Sequence, residues 1–250
     1  MSLKLASINI ERSKHLDRVI PFLQRYDPDV ICVQELLERD IPLFEEIFGV
    51  KCIFGPSGFH SADEPETESV MVGTALLSRL PIRSQKIEYY TGSEAQARSN
   101  EPQEILTNSK LIICDLEKDD TLFRIATTHF TWSPRGMATD EQRTNMRHLI
   151  DILGAMGEFV LCGDFNAPRG GEIFAMLTDV YKDNIPPQYA TSIDIDLHRA
   201  GRTRPQELAD KMVDGLFSTP GYEVADVQLI SGVSDHCAVT TTISRRRLTS

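Results

Sequence analysis

Phe159–Asn166 reads FVLCGDFN, an apolar run that stops abruptly at a glycine and then presents two polar side chains. The run Phe159, Val160, Leu161, Cys162 is long enough for a buried strand and too short for a helix. Gly163 lets the backbone pass close to a neighbour. Asp164 and Asn166 follow two residues apart, and if the extended geometry persists that spacing puts both on one face. Pro168 and Gly170-Gly171 end the segment. A carboxylate beside an amide offers several oxygens to a hard cation, or holds one water at a fixed angle. The same residue types are ordinary turn formers after a strand, so both readings stand on this stretch alone.

Working outward, 250 residues with 41% hydrophobic and 25% charged side chains fit one α/β domain over 1–250 with a sizeable core, and exclude the disordered and fibrous classes. No apolar run approaches the roughly 18 residues that cross a bilayer. The opening MSLKLASINI alternates like a strand and lacks the length and cleavage site of a signal peptide. A cytoplasmic, monomeric protein is therefore expected. The five cysteines are odd in number and form neither a CxxC pair nor a zinc spacing. Cys32, Cys114, Cys162 and Cys237 lie in or beside apolar runs and Cys52 in a short one, which reads as reduced, buried thiols. A net charge of −11 argues against a protein that coats long nucleic acid through a broad basic face. A local basic groove remains compatible with it.

Along the chain, Leu3 to Ile10 reads as a first strand, and Leu16, Val19, Ile20 and Leu23 have helical spacing disturbed by Pro21. Val30–Val33 is a short buried strand ended by Gln34-Glu35. The pattern Leu36, Leu37, Ile41, Phe44, Ile47, Phe48 predicts a second helix over 36–48, again with a proline, Pro42. Residues 55–69, rich in Gly, Ser and Pro and carrying Asp63, Glu64, Glu66 and Glu68, read as a loop, followed by a strand over 70–77. Residues 91–103 read as a second loop. Leu111–Leu116 and Leu122–Thr128 flank a hairpin signal at Lys118-Asp119-Asp120. A helix is expected over 139–153, a short one around Ile173, Phe174 and Leu177, and closing strands over 211–218, 222–230 and 237–243. Residues 183–209 are polar and irregular. The Arg245-Arg246-Arg247 tail reads as a solvated end.

Chemistry enters where polar residues interrupt the apolar runs. Asn9, Glu35, His129 and Asp164 each follow such a run, and in α/β sheets ligands sit outside the carboxyl ends of strands. Asp214 interrupts the run Met212, Val213, Leu216, Phe217, where a charge is costly unless paired or functional. Ser234-Asp235-His236 opens the last strand. Each has a plainer alternative. Asn9 can simply end a strand, Glu35 can cap a following helix, and His129 can be a satisfied core histidine. Asp214 can serve as an arginine partner, and Asp235-His236 as a turn.

The ordered set SINI, VQE, THF, GDFN, a strand carrying Asp214, then SDH resembles the endonuclease/exonuclease/phosphatase superfamily over Leu3 to about Ile243. Gly73–Ile82, GTALLSRLPI, is similar to that family's strand between the second and third motifs. The resemblance implies a DNase I-like four-layer α/β/β/α sandwich of two mixed β-sheets flanked by helices. It implies Glu35 as the principal ligand of a catalytic Mg²⁺, with Mn²⁺ as a possible substitute, Asn9 beside it and Asp235 supporting the metal or the water. Asp164 would orient or deprotonate the attacking water with the help of Asn166. His236 would touch a phosphate oxygen, Asp214 would hold its imidazole, and His129 would add a second donor. Two departures stand out. Gly215 follows Asp214 where many relatives carry an aromatic residue, which would widen the pocket. His129 occupies a position where some nuclease members place tyrosine.

The activity expected from the resemblance is metal-dependent hydrolysis of a phosphodiester or phosphomonoester by direct attack of water. DNA, small-molecule and lipid phosphoesters remain open as substrates. A repair-type enzyme acting on DNA ends is the alternative, and a non-catalytic binding protein of the same fold a third. Loops 55–69, 91–103, 131–138 and 184–206 are the expected specificity elements. Trp132 could stack on a base or pack its own loop. Arg98, Arg135, Arg199, Arg202 and Arg204 could hold phosphates or merely solvate loops.

Overall fold

The computed structural model describes residues 1–60, 69–99 and 108–246. In chain order these form β1 (Ser2–Asn9), α1 (Leu16–Tyr26), β2 (Val30–Leu37), α2 (Ile41–Phe48), β3 (Lys51–His60), β4 (Val70–Ser78), β5 (Ile82–Tyr89), α3 (Glu94–Ala97), β6 (Lys110–Lys118), β7 (Thr121–His129), α4 (Asp140–Gly154), β8 (Val160–Asp164), α5 (Glu172–Thr178), β9 (Lys182–Asp183), β10 (Asp214–Ser218), β11 (Tyr222–Ile230) and β12 (Ala238–Arg245). One sheet runs β11-β12-β1-β2-β4-β3 and the other β5-β6-β7-β8-β10-β9. Each contains one parallel pair, β1/β2 joined through α1 and β7/β8 joined through α4, among otherwise antiparallel neighbours.

Strand parity explains the layering. Leu3 and Leu5 of β1, with Val30 and Cys32 of β2, face Ile112, Cys114, Ile125, Val160 and Leu216 of the opposite sheet. Their odd–even neighbours Ala6, Ile8, Ile31 and Val33 face α1 and α2 through Val19, Phe22, Leu23 and Phe44. Leu161 and Phe217 of the second sheet, with Phe165 just past β8, meet Met146, Leu149 and Leu153 of α4 and Phe174 of α5. Both faces of the central strands are covered, so those strands read as continuous apolar runs rather than alternating ones. The result is the four-layer α/β/β/α sandwich that the resemblance implied.

Several boundaries differ from the sequence-based expectations. The helix predicted over 36–48 begins only at Ile41, because Leu36 and Leu37 continue β2 opposite Gly73 and Val72. Helical spacing of apolar residues persisted across a strand end, and Pro42 sits in the first turn, where its missing N–H costs nothing. The loop expected from residue 55 is strand as far as His60; Gly55 and Pro56 pair with β4, on an edge strand where proline is tolerated. β5 was not foreseen, because its residues are mostly exposed and polar. Within 91–103, Glu94–Ala97 forms a single helical turn. Residues 61–68 with the four acids, 100–107 and Arg247 lie outside the described residues. Cys32, Cys114, Cys162 and Cys237 are buried, Cys52 is half-buried, and all five are free thiols. No helix among the described residues is long and apolar enough to cross a membrane.

Candidate active site

The same parity that buries Leu3 and Leu5 between the sheets continues to Ser7 and Asn9, so the interlayer turns polar towards one end of the sandwich. Gln34 marks the change, donating from Nε2 to Thr127 Oγ1 across the sheets at 3.1 Å. Beyond that layer, Asn9 ends β1, His129 ends β7, Asp164 ends β8 and Asp214 starts β10. β10 is antiparallel to β8 with Asp214 opposite Asp164, so its first residue lies at the same end.

Asp164 is at the centre. Its Oδ2 lies 3.1 Å from Asn9 Nδ2, 3.5 Å from His129 Nε2 and 3.8 Å from His236 Nε2. Asn9 Nδ2 also donates to Glu35 Oε1 at 3.2 Å, while Asn9 Oδ1 accepts the Glu11 N–H at 3.0 Å. His236 Nδ1 donates to Asp214 Oδ2 at 2.8 Å. Burial alone would disfavour charge on this imidazole, but Asp214, Asp164 and Asp235 overcome it and hold its pKa well above the usual histidine range. Asp235 is pushed up to about 6, chiefly by burial and, against the pull of His236, by Glu11 and Glu35.

Glu35 reaches this group through an irregularity. Val30, Cys32 and Gln34 face the opposite sheet, whereas Ile31 and Val33 face the helices, and simple alternation would send Glu35 to the helix side. Between Val33 and Leu36 the register with β4 slips by one residue, and Glu35 takes a left-handed conformation with φ 59°. That bulge turns the carboxylate towards Asn9 and puts Leu36 back on the helix side. The possible helix-cap use of Glu35 is thereby overturned, since the strand continues past it. Asn166 differs from expectation as well. Its φ is 50°, its N–H donates to Asp164 Oδ1 at 2.8 Å and its Nδ2 to Phe130 O at 2.9 Å. Asp164 and Asn166 form an Asx turn rather than one face of a strand, and the amide secures the loop after His129. Gly215 does not widen the cleft. A Cβ there would lie 2.5 Å from Phe217 and 2.7 Å from Phe165, on the helix side of the second sheet.

These groups line a cleft of about 900 Å³. Besides Asn9, Glu35, His129, Asp164, Asn166, Asp235 and His236, its wall includes Glu11, Arg12, Ser57, His60 and His198, none of which the sequence reading singled out. The spacing Asn9-x-Glu11 was a signal for the first of these. Against burial, Lys14 and His15 hold the Glu11 carboxyl below its usual range. Of the loop residues considered for substrate contact, Trp132, Arg135, Arg199 and Arg204 line the cleft, and Trp132 is 46% exposed. Arg98 is instead paired with Glu94 and Glu38. Five of the nine non-glycine residues with positive φ among the described residues, Glu11, Arg12, Glu35, Arg135 and Asn166, stand in this wall. Such conformations cost on the order of 1–3 kcal/mol each and persist where the surroundings impose them.

The donor set suits a hard divalent cation. Carboxylate oxygens of Glu35 and Asp164 converge on the Asn9 amide Nδ2, and clustered carboxylate oxygens are the ligands such a cation prefers. Two groups of side chains, Asp164/Asp214/His236 and Glu11/His15/Asp235, bring their ligand atoms within 4.8 Å of one another. In the first, His236 Nδ1 is engaged by Asp214, which leaves Nε2 to face Asp164.

A sequence model of the endonuclease/exonuclease/phosphatase family matches residues 6–236. No curated protein matches the chain. Among solved structures, it is similar to an endonuclease/exonuclease/phosphatase from Bacteroides vulgatus, at 16% identity and TM-score 0.72, covering 98% of this chain and 100% of that one. Zebrafish (D. rerio) TDP2 complexed with a single-strand DNA product matches at 15% identity and TM-score 0.69, covering 97% and 99%. A mannosyl-6-phosphatase from Bacteroides thetaiotaomicron matches at 14% identity and TM-score 0.66, covering 97% and 99%. These likenesses show the fold.

Proposed function

The chain belongs to the endonuclease/exonuclease/phosphatase family, and on that premise we propose that it hydrolyses a phosphoester bond by metal-assisted attack of water, with Mg²⁺ as the metal and Mn²⁺ as a substitute. The observation that carries this reading is the ring around Asp164 Oδ2, where an amide and two histidines from separate parts of the chain surround one carboxylate oxygen. A carboxylate so placed accepts the proton of an attacking water. Glu35 and Asp235 would hold the ion with Asn9 beside them, and the chemistry a bound Mg²⁺ would supply is neutralisation of phosphoryl charge.

Every other role belongs to the chain's own side chains. Asp164 orients the water and takes its proton as the water oxygen bonds to phosphorus. His236, held charged by Asp214, contacts a phosphoryl oxygen through Nε2, and His129 Nε2 offers a second donor. The bond from phosphorus to the ester oxygen breaks, that oxygen leaves with the electron pair and takes a proton from solvent to become an alcohol, and Asp164 returns the water's proton to solvent. Asn166, which lines the cleft, assists Asp164 by keeping the turn after β8 in place.

A second reading, cleavage of diesters at DNA ends, is supported by the exposed Trp132 at a cleft rim that also carries Arg135, Arg199 and Arg204. Stacking on an aromatic ring and phosphate contacts to arginine suit such a substrate. Hydrolysis of bis-p-nitrophenyl phosphate and p-nitrophenyl phosphate, with Mg²⁺ and with EDTA, tests the proposal in wild type, Asp164→Asn and His236→Ala. Metal-dependent cleavage that falls by roughly 10²–10⁴-fold in the variants is expected. Cleavage that survives both EDTA and the substitutions would sink it.

A further inference from the structure

A second bulge faces the same cleft. Between Pro56 and Gly58 the register of β3 with β4 slips by one residue, and Ser57 is the extra residue. Its carbonyl accepts Asn108 Nδ2 at 3.0 Å, and the carbonyl of Pro56 accepts the Tyr89 hydroxyl at 2.9 Å, so the bulge is clamped from the other sheet. Beneath it lies Lys110, fully buried at the start of β6. Its Nζ donates to Ser57 Oγ and, at 3.3 Å, to Asn108 O. Among the described residues no carboxylate pairs with this lysine. Room for its stem exists because residue 55 is glycine, where a Cβ would come within 3.2 Å of Lys110 Cγ and Cε. Asn108 is fixed in turn by the Ser93 N–H on its Oδ1, and that oxygen fills the space in which Gly92 would need a Cβ. The β6–β7 register sets Leu111 opposite Thr128, so Lys110 lies one step along from there, opposite His129.

The direction of these hydrogen bonds carries a consequence. In its charged form Lys110 can only donate, and Ser57 Oγ then spends a lone pair on it and keeps its own hydroxyl proton for another acceptor. Ser57 and Asn108 line the cleft, whereas Lys110 lies behind them. A hydroxyl proton backed by a buried cation suits an anionic oxygen.

We propose that Ser57, with Lys110 as the positioning residue behind it, is a seat for a phosphate oxygen of the ligand, on the opposite sheet from Asp164. The identification of the anion as a phosphate rests on the phosphoesterase reading; the donor geometry does not. Burial pushes the Lys110 pKa well down, and an anion above Ser57 is the partner that favours its charged form.

The test measures binding of inorganic phosphate to the metal-free protein by calorimetry, in wild type, Ser57→Ala, Lys110→Met and the double variant. Ser57→Ala removes one oxygen from a backbone that stays paired, and Lys110→Met keeps the unbranched stem, so circular dichroism should be unchanged. Each single variant should weaken phosphate binding about ten-fold, the scale of one hydrogen bond to a charged group. The double variant should lose little more, because the two act as one unit. Steady-state kinetics on p-nitrophenyl phosphate should show KM rising with kcat nearly kept. Absence of phosphate binding by wild type, unchanged affinity in Ser57→Ala, or fully additive losses in the double variant would overturn the proposal. The two readings fail separately. Ser57-dependent phosphate binding in a protein that hydrolyses nothing would support the seat and sink the hydrolase. Metal-dependent hydrolysis with phosphate affinity indifferent to Ser57 would sink the seat alone.

Discussion

Gly163→Ala should damage this protein more than its single added methyl suggests. Gly163 lies in β8 with φ 147°, a conformation that disfavours any side chain. In the parallel ladder it stands opposite Thr128, and an alanine Cβ would fall 2.0 Å from the Thr128 carbonyl oxygen. That atom is backbone and cannot swing away, so β7 and β8 must separate, or Gly163 must change its dihedrals. The conformation costs about 1–3 kcal/mol and overpacking of a fitted interior about 1–3 kcal/mol. A loss near 4 kcal/mol follows, and for a chain of this size about 2–4 °C per kcal/mol gives a fall in Tm of roughly 8–16 °C. Separating the strands also moves His129 and Asp164, the residues flanking the contact, so activity should fall even at temperatures where the variant is folded. Urea and thermal denaturation measure the first effect. Gly154→Ala is the internal control: nothing lies within 4 Å of a Cβ at the end of α4, so it should stabilise by about 0.5–1 kcal/mol. A Gly163→Ala protein melting within 2–3 °C of wild type, on the scale of about 1 kcal/mol, would refute the close approach of the two strands.

Glu35→Gly should abolish Mg²⁺-dependent hydrolysis yet leave stability at least equal to wild type, or up to about 1 kcal/mol higher, because glycine adopts the left-handed bulge conformation without strain; thermal denaturation beside the p-nitrophenyl assays checks both halves. Lys110→Met should be more stable than wild type near neutral pH, with the difference shrinking as pH rises towards 10.5. The folded-state pKa of Lys110 is lowered by burial, so between that pKa and 10.5 the unfolded chain binds the extra proton and wild-type stability grows with pH. Urea midpoints at several pH values measure it. The five thiols should react with Ellman's reagent promptly only after denaturation, since four are buried and burial pushes Cys52, Cys114 and Cys237 up to about 12.

Much of the fold and most of the candidate site could be read from the sequence because they depend on local periodicity. Central strands covered on both faces must be apolar without interruption, and a polar residue ending such a run therefore marks a strand end at the cleft. Asn9, His129 and Asp164 were visible for that reason, and the ordered motifs supplied the family. Strands with little buried surface left no such mark. β5 is polar and exposed, and β3 runs through Gly55 and Pro56, so neither followed from composition. The aim of individual side chains was settled by pairing between strands. Period-two alternation assigns Glu35 to the helix side, and only the one-residue slip against β4 turns it towards Asn9. Gly215, next to a site residue, faces Phe165 and Phe217 instead of the cleft. The partnership of His236 with Asp214, and of Lys110 with Ser57, joins residues 22 and 53 positions apart. Apolar spacing is a property of neighbouring residues and is written along the chain. A bulge or a cross-sheet contact is a property of two strands at once, and it exists only after they have met.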